Sequence, residues 1–313
     1  MLFACGDNAR GQLGLGDFTS RTTFTAVPKL PGGKVAKQVA GGECHTMIIA
    51  EDGTMFACGQ NDYGQLGLGD FTPRATFTTV PSAPGGKVAK QVIAGAYHTM
   101  ILTHDGMVFA YGKNTWGQLG LGDKVNRNTF TVVPLPDGKV AKQVIAGAYH
   151  TIILTHDGMV FGCGSNIYGQ LGLGDTRITY RTTFTAVPGL PGGKVPKQVV
   201  VGERHTMILT QDGTVFACGS NVYGKLGLGD TTSRDTFTAA PRLPGGKVVK
   251  QVIAGACHTM ILAEDGTVFA CGWNNGGQLG VGDTTSRNIF TAVPRLPDGK
   301  VAKQVIVGFK NTM

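Results

Sequence analysis

The chain has 313 residues and a net charge of +8, with 49 Gly, 14 Pro, 42% hydrophobic and only 15% charged residues. Glycine at about twice its ordinary frequency of roughly 7% disfavours long helices, while the hydrophobic share is too high for a disordered chain. Collagen is excluded because Gly does not recur at every third position, which leaves a turn-rich, strand-rich globular protein.

Residues 1–10 carry no basic segment ahead of an apolar run, so the layout of a secretory signal is missing, and no apolar run reaches the roughly 18 residues of a membrane span. The last five residues contain no Cys for prenylation, and an intracellular protein, cytoplasmic or nuclear, is expected. The first expected strand lies in MLFACG at the very start. It leads into the phrase G-x-N-x-x-G-[QK]-L-G-[LV]-G-D, which begins at Gly6, Gly59, Gly112, Gly164, Gly219 and Gly272, at intervals of 53, 53, 52, 55 and 53 residues. Four short β-branched and aromatic stretches fill each interval. In the third copy they are KQVIAG (90–95), HTMILT (98–103), MVFAYG (107–112) and TFTVVP (129–134), separated by Gly, Asp and Pro. The HDG at 104–106 reads as a hairpin turn in which Gly takes a positive φ and Asp offers an acceptor. No window has helical periodicity, and four short antiparallel strands per copy amount to one propeller blade.

The stretch at 92–123, VIAGAYHTMILTHDGMVFAYGKNTWGQLGLGD, resembles the repeat of the RCC1-like β-propeller family, with its G-x-x-H-T, D-G and G-x-N-x-x-G-Q-L-G-x-G elements. The resemblance implies an all-β fold in which six repeats form six four-stranded blades, with 1–313 as a single propeller domain. It does not imply one function, since that family includes a nucleotide exchange factor for the Ran GTPase that docks on chromatin, a plant ultraviolet receptor and a β-lactamase inhibitor. The commonest ring of the family has seven blades; here six are expected. The terminal FKNTM (309–313) is in register with CHTM (257–260), so the first and last residues would share one blade. That seam is short of a hairpin turn and half a strand, and a closed ring with one frayed blade is expected.

Most repeated residues read as structural. His45, His98, His150, His205 and His258 share one slot, which Asn311 takes in the sixth copy. Each His lies between apolar strand residues and its equivalents are one blade away, so neutral, buried imidazoles bonded to backbone are expected in place of a metal site. Of seven Cys, five (Cys5, Cys58, Cys163, Cys218, Cys271) share a slot that Tyr111 fills in the third copy, which marks it as a packing position for buried free thiols. Asp17, Asp70, Asp123, Asp230 and Asp283 each precede an Arg by four residues, and Asp175 precedes Arg181 by six. Turn caps and structural ion pairs, within a blade or between blades, are expected there. The Gly-rich phrases lack the Gly-Lys-Ser/Thr of a phosphate loop, and no catalytic constellation, metal or cofactor is expected. Each GKVxKQV phrase adds two Lys, so nearly all of the net charge is periodic and forms a collar. The collar suits a soluble rim, or attraction to acidic partners and nucleic acid.

Function in a repeat protein resides where the copies differ. Three slots vary in an informative way: the residue before the second Gly of the G-x-N phrase, the pair before His-Thr, and the hairpin residue (Glu51, His104, His156, Gln211, Glu264). The candidate partner-binding residues are Arg10, Tyr63, Tyr97, Trp116, Tyr149, Tyr168, Arg204, Tyr223 and Trp273, of types that anchor interfaces. The leading expectation is a non-enzymatic platform that binds another protein across one propeller face. One alternative, exchange of guanine nucleotide on a Ran-like small GTPase, comes from the resemblance, although copies of 52 to 55 residues leave no room for the inserted β-wedge of that exchange factor. The other is chromatin or nucleic-acid binding by the Lys collar.

Overall fold

The computed structural model describes residues 1–175, 177–295 and 302–305. The first blade contains β1 (Phe3–Gly6) and β2 (Arg21–Ala26), and the second β3 (Ala36–Gly41), β4 (His45–Ala50), β5 (Met55–Gly59) and β6 (Arg74–Thr79). The third holds β7 (Ala89–Ala94), β8 (His98–Thr103), β9 (Val108–Gly112) and β10 (Arg127–Val132), and the fourth β11 (Ala141–Ala146), β12 (His150–Thr155), β13 (Val160–Ser165) and β14 (Tyr180–Ala186). The fifth has β15 (Pro196–Val201), β16 (His205–Thr210), β17 (Val215–Gly219) and β18 (Arg234–Ala239), and the sixth β19 (Val249–Ala254), β20 (His258–Ala263), β21 (Val268–Gly272) and β22 (Arg287–Ala292). In the third blade, every strand end lies within two residues of the bounds expected from composition and turn signals.

Each of the last five blades is a four-stranded sheet with its strands in sequence order; the first is the pair β1–β2. The strand partner expected for it at 309–313, and with it the seam, lies outside the described residues. The chain divides into two compact units, Met1–Ile153 with Arg181–Phe184, and Leu154–Tyr180 with Thr185–Met313, the division falling within the fourth blade.

In the first unit, the period-two alternation of a strand serves two neighbours at once. Met47 and Ile49 of β4 face the third blade, where they meet Val92, Ile101, Phe109 and Tyr111. Ile48 and Ala50 point the other way and pack with Leu30, Phe56, Cys58 and Phe77, against Leu2 and Val27. Blades stacked on both faces explain why the second strands read as unbroken apolar runs. The second unit repeats the scheme: Met207 and Leu209 join Val252, Ile261, Phe269 and Phe290, while Met260 and Leu262 meet Val305.

Polar contacts fasten neighbouring first strands. Gln38 of β3 reaches Val92 of β7, its Nε2 donating to the carbonyl at 2.9 Å while its Oε1 accepts the N–H at 3.1 Å. Glycine is required where backbones cross between blades. A Cβ on Gly64, whose φ is +80°, would stand 2.5 Å from the Cα of Asn128, and one on Gly95 would stand 2.2 Å from Cε1 of His98 and 2.7 Å from the Gly147 carbonyl.

The antiparallel order gives each four-stranded blade two ends. The loops joining strands one to two and three to four lie at one end, called here the loop end. The D-G hairpins and the links to the next blade, Pro-Gly-Gly-Lys or, at 136–139, Pro-Asp-Gly-Lys, lie at the other.

Candidate protein-interaction site

The histidine slot is a joint between blades. Thr99 donates its only hydroxyl proton to the Gln65 carbonyl at 2.8 Å, and its oxygen lies 3.0 Å from Nε2 of His45. The hydroxyl therefore accepts from the imidazole, which carries a proton on Nε2, and burial favours the neutral form of the ring. The same relay joins His98, Thr151 and the Gln118 carbonyl, and, in the second unit, His205, Thr259 and the Lys225 carbonyl. Burial pushes His45 and His258 down to about 4 and His98 and His150 to about 3, with the neighbouring imidazoles adding to the effect at His98. All five imidazoles are buried, and at His45, His98 and His205 Nε2 meets a threonine hydroxyl of the next blade, with a backbone contact to Ala96 besides at His45.

The Asp slot also differs in detail. Asp70 meets Arg74 at 2.6 Å and Asp123 meets Arg127 at 2.5 Å, both within one loop, so the pairs do not bridge blades. The same holds for Asp17, Asp230 and Asp283, whereas Asp175 meets Arg177 at 3.1 Å. The centre of this loop is its buried Asn. Asn61 donates to both the carbonyl and Oδ1 of Asp70 at 3.0 Å and accepts from Leu66 N–H at 3.0 Å. Among the cysteines, Cys58, Cys163, Cys218 and Cys271 are buried, but Cys5 is exposed and Cys44 and Cys257 are half-buried. Cys5 departs from the packing expectation because its strand β1 has only β2 as a sheet neighbour among the described residues.

These joints hold the loop end in shape, and that end collects most of the variable residues. In the first unit, Tyr63 of the second blade meets Tyr97 of the third edge-on, with centroids 5.7 Å apart. The Lys113 ammonium lies 4.5 Å and 5.1 Å from the two ring centres, a cation held on aromatic faces. The Tyr97 hydroxyl donates to the Glu43 carboxylate, and burial together with that carboxylate raises its pKa. Trp116 and Tyr149 are half-buried in the corresponding loops of the third and fourth blades, and Arg10 is exposed in the first. In the second unit, Arg204 meets Glu203 at 3.1 Å, donates to the Tyr168 hydroxyl at 3.2 Å and lies over that ring at 5.3 Å. Tyr223 and Trp273 approach within 6.2 Å.

The third variable slot does not join them, because the D-G hairpins with Glu51, His104 and His156 lie at the opposite end. Sequence reasoning also passed over Lys113. The signal lay in the middle position of G-x-N, which reads Asp7, Gln60, Lys113, Ser165, Ser220 and Trp273 across the copies. The Lys collar is divided as well: Lys34, Lys87, Lys194 and Lys247 each meet a hairpin Asp at 2.5 to 2.6 Å, while Lys37, Lys90 and Lys142 are exposed on first strands.

The loop end thus offers aromatic faces, fixed charges and hydrogen-bond donors, the components of recognition. Burial raises the Cys58 thiol, and Glu43 adds to burial in raising Cys44, which disfavours a thiolate at either position. Among the described residues no three His, Cys, Asp or Glu are placed to hold a metal, and no helix is long and apolar enough to cross a membrane.

Comparison with known proteins agrees with this architecture. The family model of the RCC1-like domain matches residues 86–313, and that of the regulator of chromosome condensation (RCC1) repeat matches 1–49 and 52–102. The ultraviolet-B receptor UVR8 of Arabidopsis thaliana is 33% identical over 97% of this chain and 68% of its own length. Matches to the probable E3 ubiquitin-protein ligases HERC6 of human and HERC4 of rat span only 25% and 31% of those longer proteins. Among solved structures, yeast RCC1 (Prp20) bound to Kap60 superimposes with a TM-score of 0.84 at 24% identity, over 98% of this chain and 74% of that one. Human WBSCR16 gives 0.86 at 24% identity, over 99% and 80%. These likenesses cover the blades of both units, and the chain belongs to the RCC1-like β-propeller family.

Proposed function

We propose that this propeller is a non-enzymatic interaction platform that docks another protein on the loop end of its blades. The observation that carries the reading is the gathering of residues that differ between copies. Tyr63, Tyr97 and Lys113 meet across two blades of the first unit, and Tyr168 with Arg204 across two blades of the second. Slots that build blades are held alike by packing, so chemical variety concentrated at one end points to recognition there. A fold-level parallel is Prp20, whose structure is a complex with another protein, Kap60.

Affinity capture from the native lysate tests the reading. Tyr63→Ala with Tyr97→Ala, and separately Arg204→Ala, should lose partners that the wild type retains, with unchanged circular dichroism. Lys37→Ser with Lys90→Ser at the other end should retain them. Every partner surviving the loop-end changes would refute the reading. The exposed Lys37, Lys90 and Lys142 support a second reading, attraction of nucleic acid or chromatin, which predicts binding that weakens steeply with salt.

A further inference from the structure

Lys225 occupies a slot that holds Gln in the other five copies, at Gln12, Gln65, Gln118, Gln170 and Gln278. There the Gln side chain closes its own loop, its Oε1 accepting the N–H two residues earlier, from Tyr63 at 3.0 Å, Tyr168 at 2.9 Å and Gly276 at 2.9 Å. An ammonium cannot accept that bond. Tyr223, two residues before Lys225, instead takes a φ of 69°, a strained choice for a residue with a side chain.

Lys225 is only 3% exposed, and among the described residues its ammonium has no hydrogen-bond or ion-pair partner; the nitrogen is not one of the wholly enclosed unpartnered atoms, so what exposure the residue keeps leaves it open to an approaching group. The groups acting on its charge are Glu203, Arg204 and Cys257, and burial holds its pKa below the usual lysine value. Glu203 is already bound to Arg204, so two cations face one carboxylate. A largely desolvated cation without a counter-ion is expensive, and the Lys225 Cβ lies 3.1 Å from where a Cβ on Gly272 would stand, next in the chain to Trp273, which pairs with the 46% exposed Tyr223.

We propose that Lys225, together with Arg204, receives a carboxylate side chain from an acidic segment of a protein partner that lies against Tyr223 and Trp273. The proposal rests on the loop-end reading and gives it a chemistry: the missing counter-ion is carried by the partner. Charge complementarity selects the occupant, since the site has one more cation than anion and a planar apolar flank for the peptide.

The test uses the full chain and fluorescence anisotropy of a labelled hexaglutamate peptide, with hexaglutamine as control, at physiological ionic strength. Hexaglutamate should bind and hexaglutamine should not. Lys225→Gln restores the residue of the other copies, so it should fold and melt no lower than wild type, yet lose about tenfold or more in affinity for hexaglutamate. Glu203→Gln should strengthen binding. Equal affinity for both peptides, no binding of either, an unchanged affinity in Lys225→Gln, or preferential displacement of the peptide by inorganic phosphate would each overturn the proposal. If hexaglutamate binding fails this test while partner capture stays sensitive to Tyr63 and Tyr97, the carboxylate site falls and the loop-end reading stands. If the peptide results hold while capture ignores the loop-end changes, the reverse applies.

Discussion

Lowering the pH from 7.5 to 5.5 should destabilise this protein far more than its surface charges can account for. His45, His98, His150 and His258 are held neutral in the folded state, with pKa values depressed to about 3 or 4, whereas the unfolded chain titrates them near 6.5. Above about pH 7.5 neither state binds these protons to any extent and the four groups contribute almost nothing to the pH dependence. As the pH falls through 6.5, only the unfolded state takes them up, and stability declines until the folded-state values near 3 to 4 are reached. One pH unit below 6.5 costs about 1.4 kcal/mol for each group, so the four together cost on the order of 5 to 6 kcal/mol at pH 5.5. The hairpin carboxylates do not blur the reading, since Asp52, Asp105 and Asp265 are lowered to about 2 by their Lys partners and turn hydrogen bonds and stay ionised in this window. Urea unfolding at pH 7.5, 6.5 and 5.5 measures the slope, and His98→Asn should reduce it by about a quarter of the four-histidine total. A stability that is flat to within about 1 kcal/mol over this range would refute the neutral inter-blade relay.

Other perturbations separate the joints from the decoration. Gly95→Ala places a methyl against the His98 ring and the Gly147 carbonyl and should cost about 3 kcal/mol in urea unfolding. Asn114→Ala removes the bonds to the Asp123 carbonyl and carboxylate and strands the Leu119 N–H, so a loss of about 3 kcal/mol is expected by the same assay. Arg127→Ala breaks a partly exposed pair with Asp123 and should cost less than about 1 kcal/mol, its melting temperature staying close to wild type.

What could be read in advance followed from local chemistry. The four strands of the third blade were legible because β-branched and aromatic stretches alternate with Gly, Asp and Pro, all within a few residues of each other. The D-G turn was legible for the same reason: Gly106 takes a φ of 79° and the Asp105 carboxylate accepts from Thr103. Contacts that depend on stacking one blade upon the next were not. The partner of His45 is Thr99, 54 residues ahead, and the partner of Tyr63 is Tyr97, so neither pairing leaves a local trace. Lys113 went unnoticed because a single x between Gly and Asn reads as filler. Lys225 went unnoticed because Lys and Gln were taken as equivalent in one slot, when only Gln can accept the loop N–H. The exposure of Cys5 depends on what covers its blade, which composition does not encode.

The most direct measurement of the central claim is amide hydrogen exchange of the full chain, free and saturated with a purified captured partner. The account predicts slowed exchange at the loop end, in residues 43–45, 61–65, 96–98, 113–118, 203–205 and 222–225, with the D-G hairpins at 51–54, 104–107 and 211–214 unchanged. Protection confined to those hairpins and the Pro-Gly-Gly-Lys links, with the loop end exchanging as in the free protein, would contradict it.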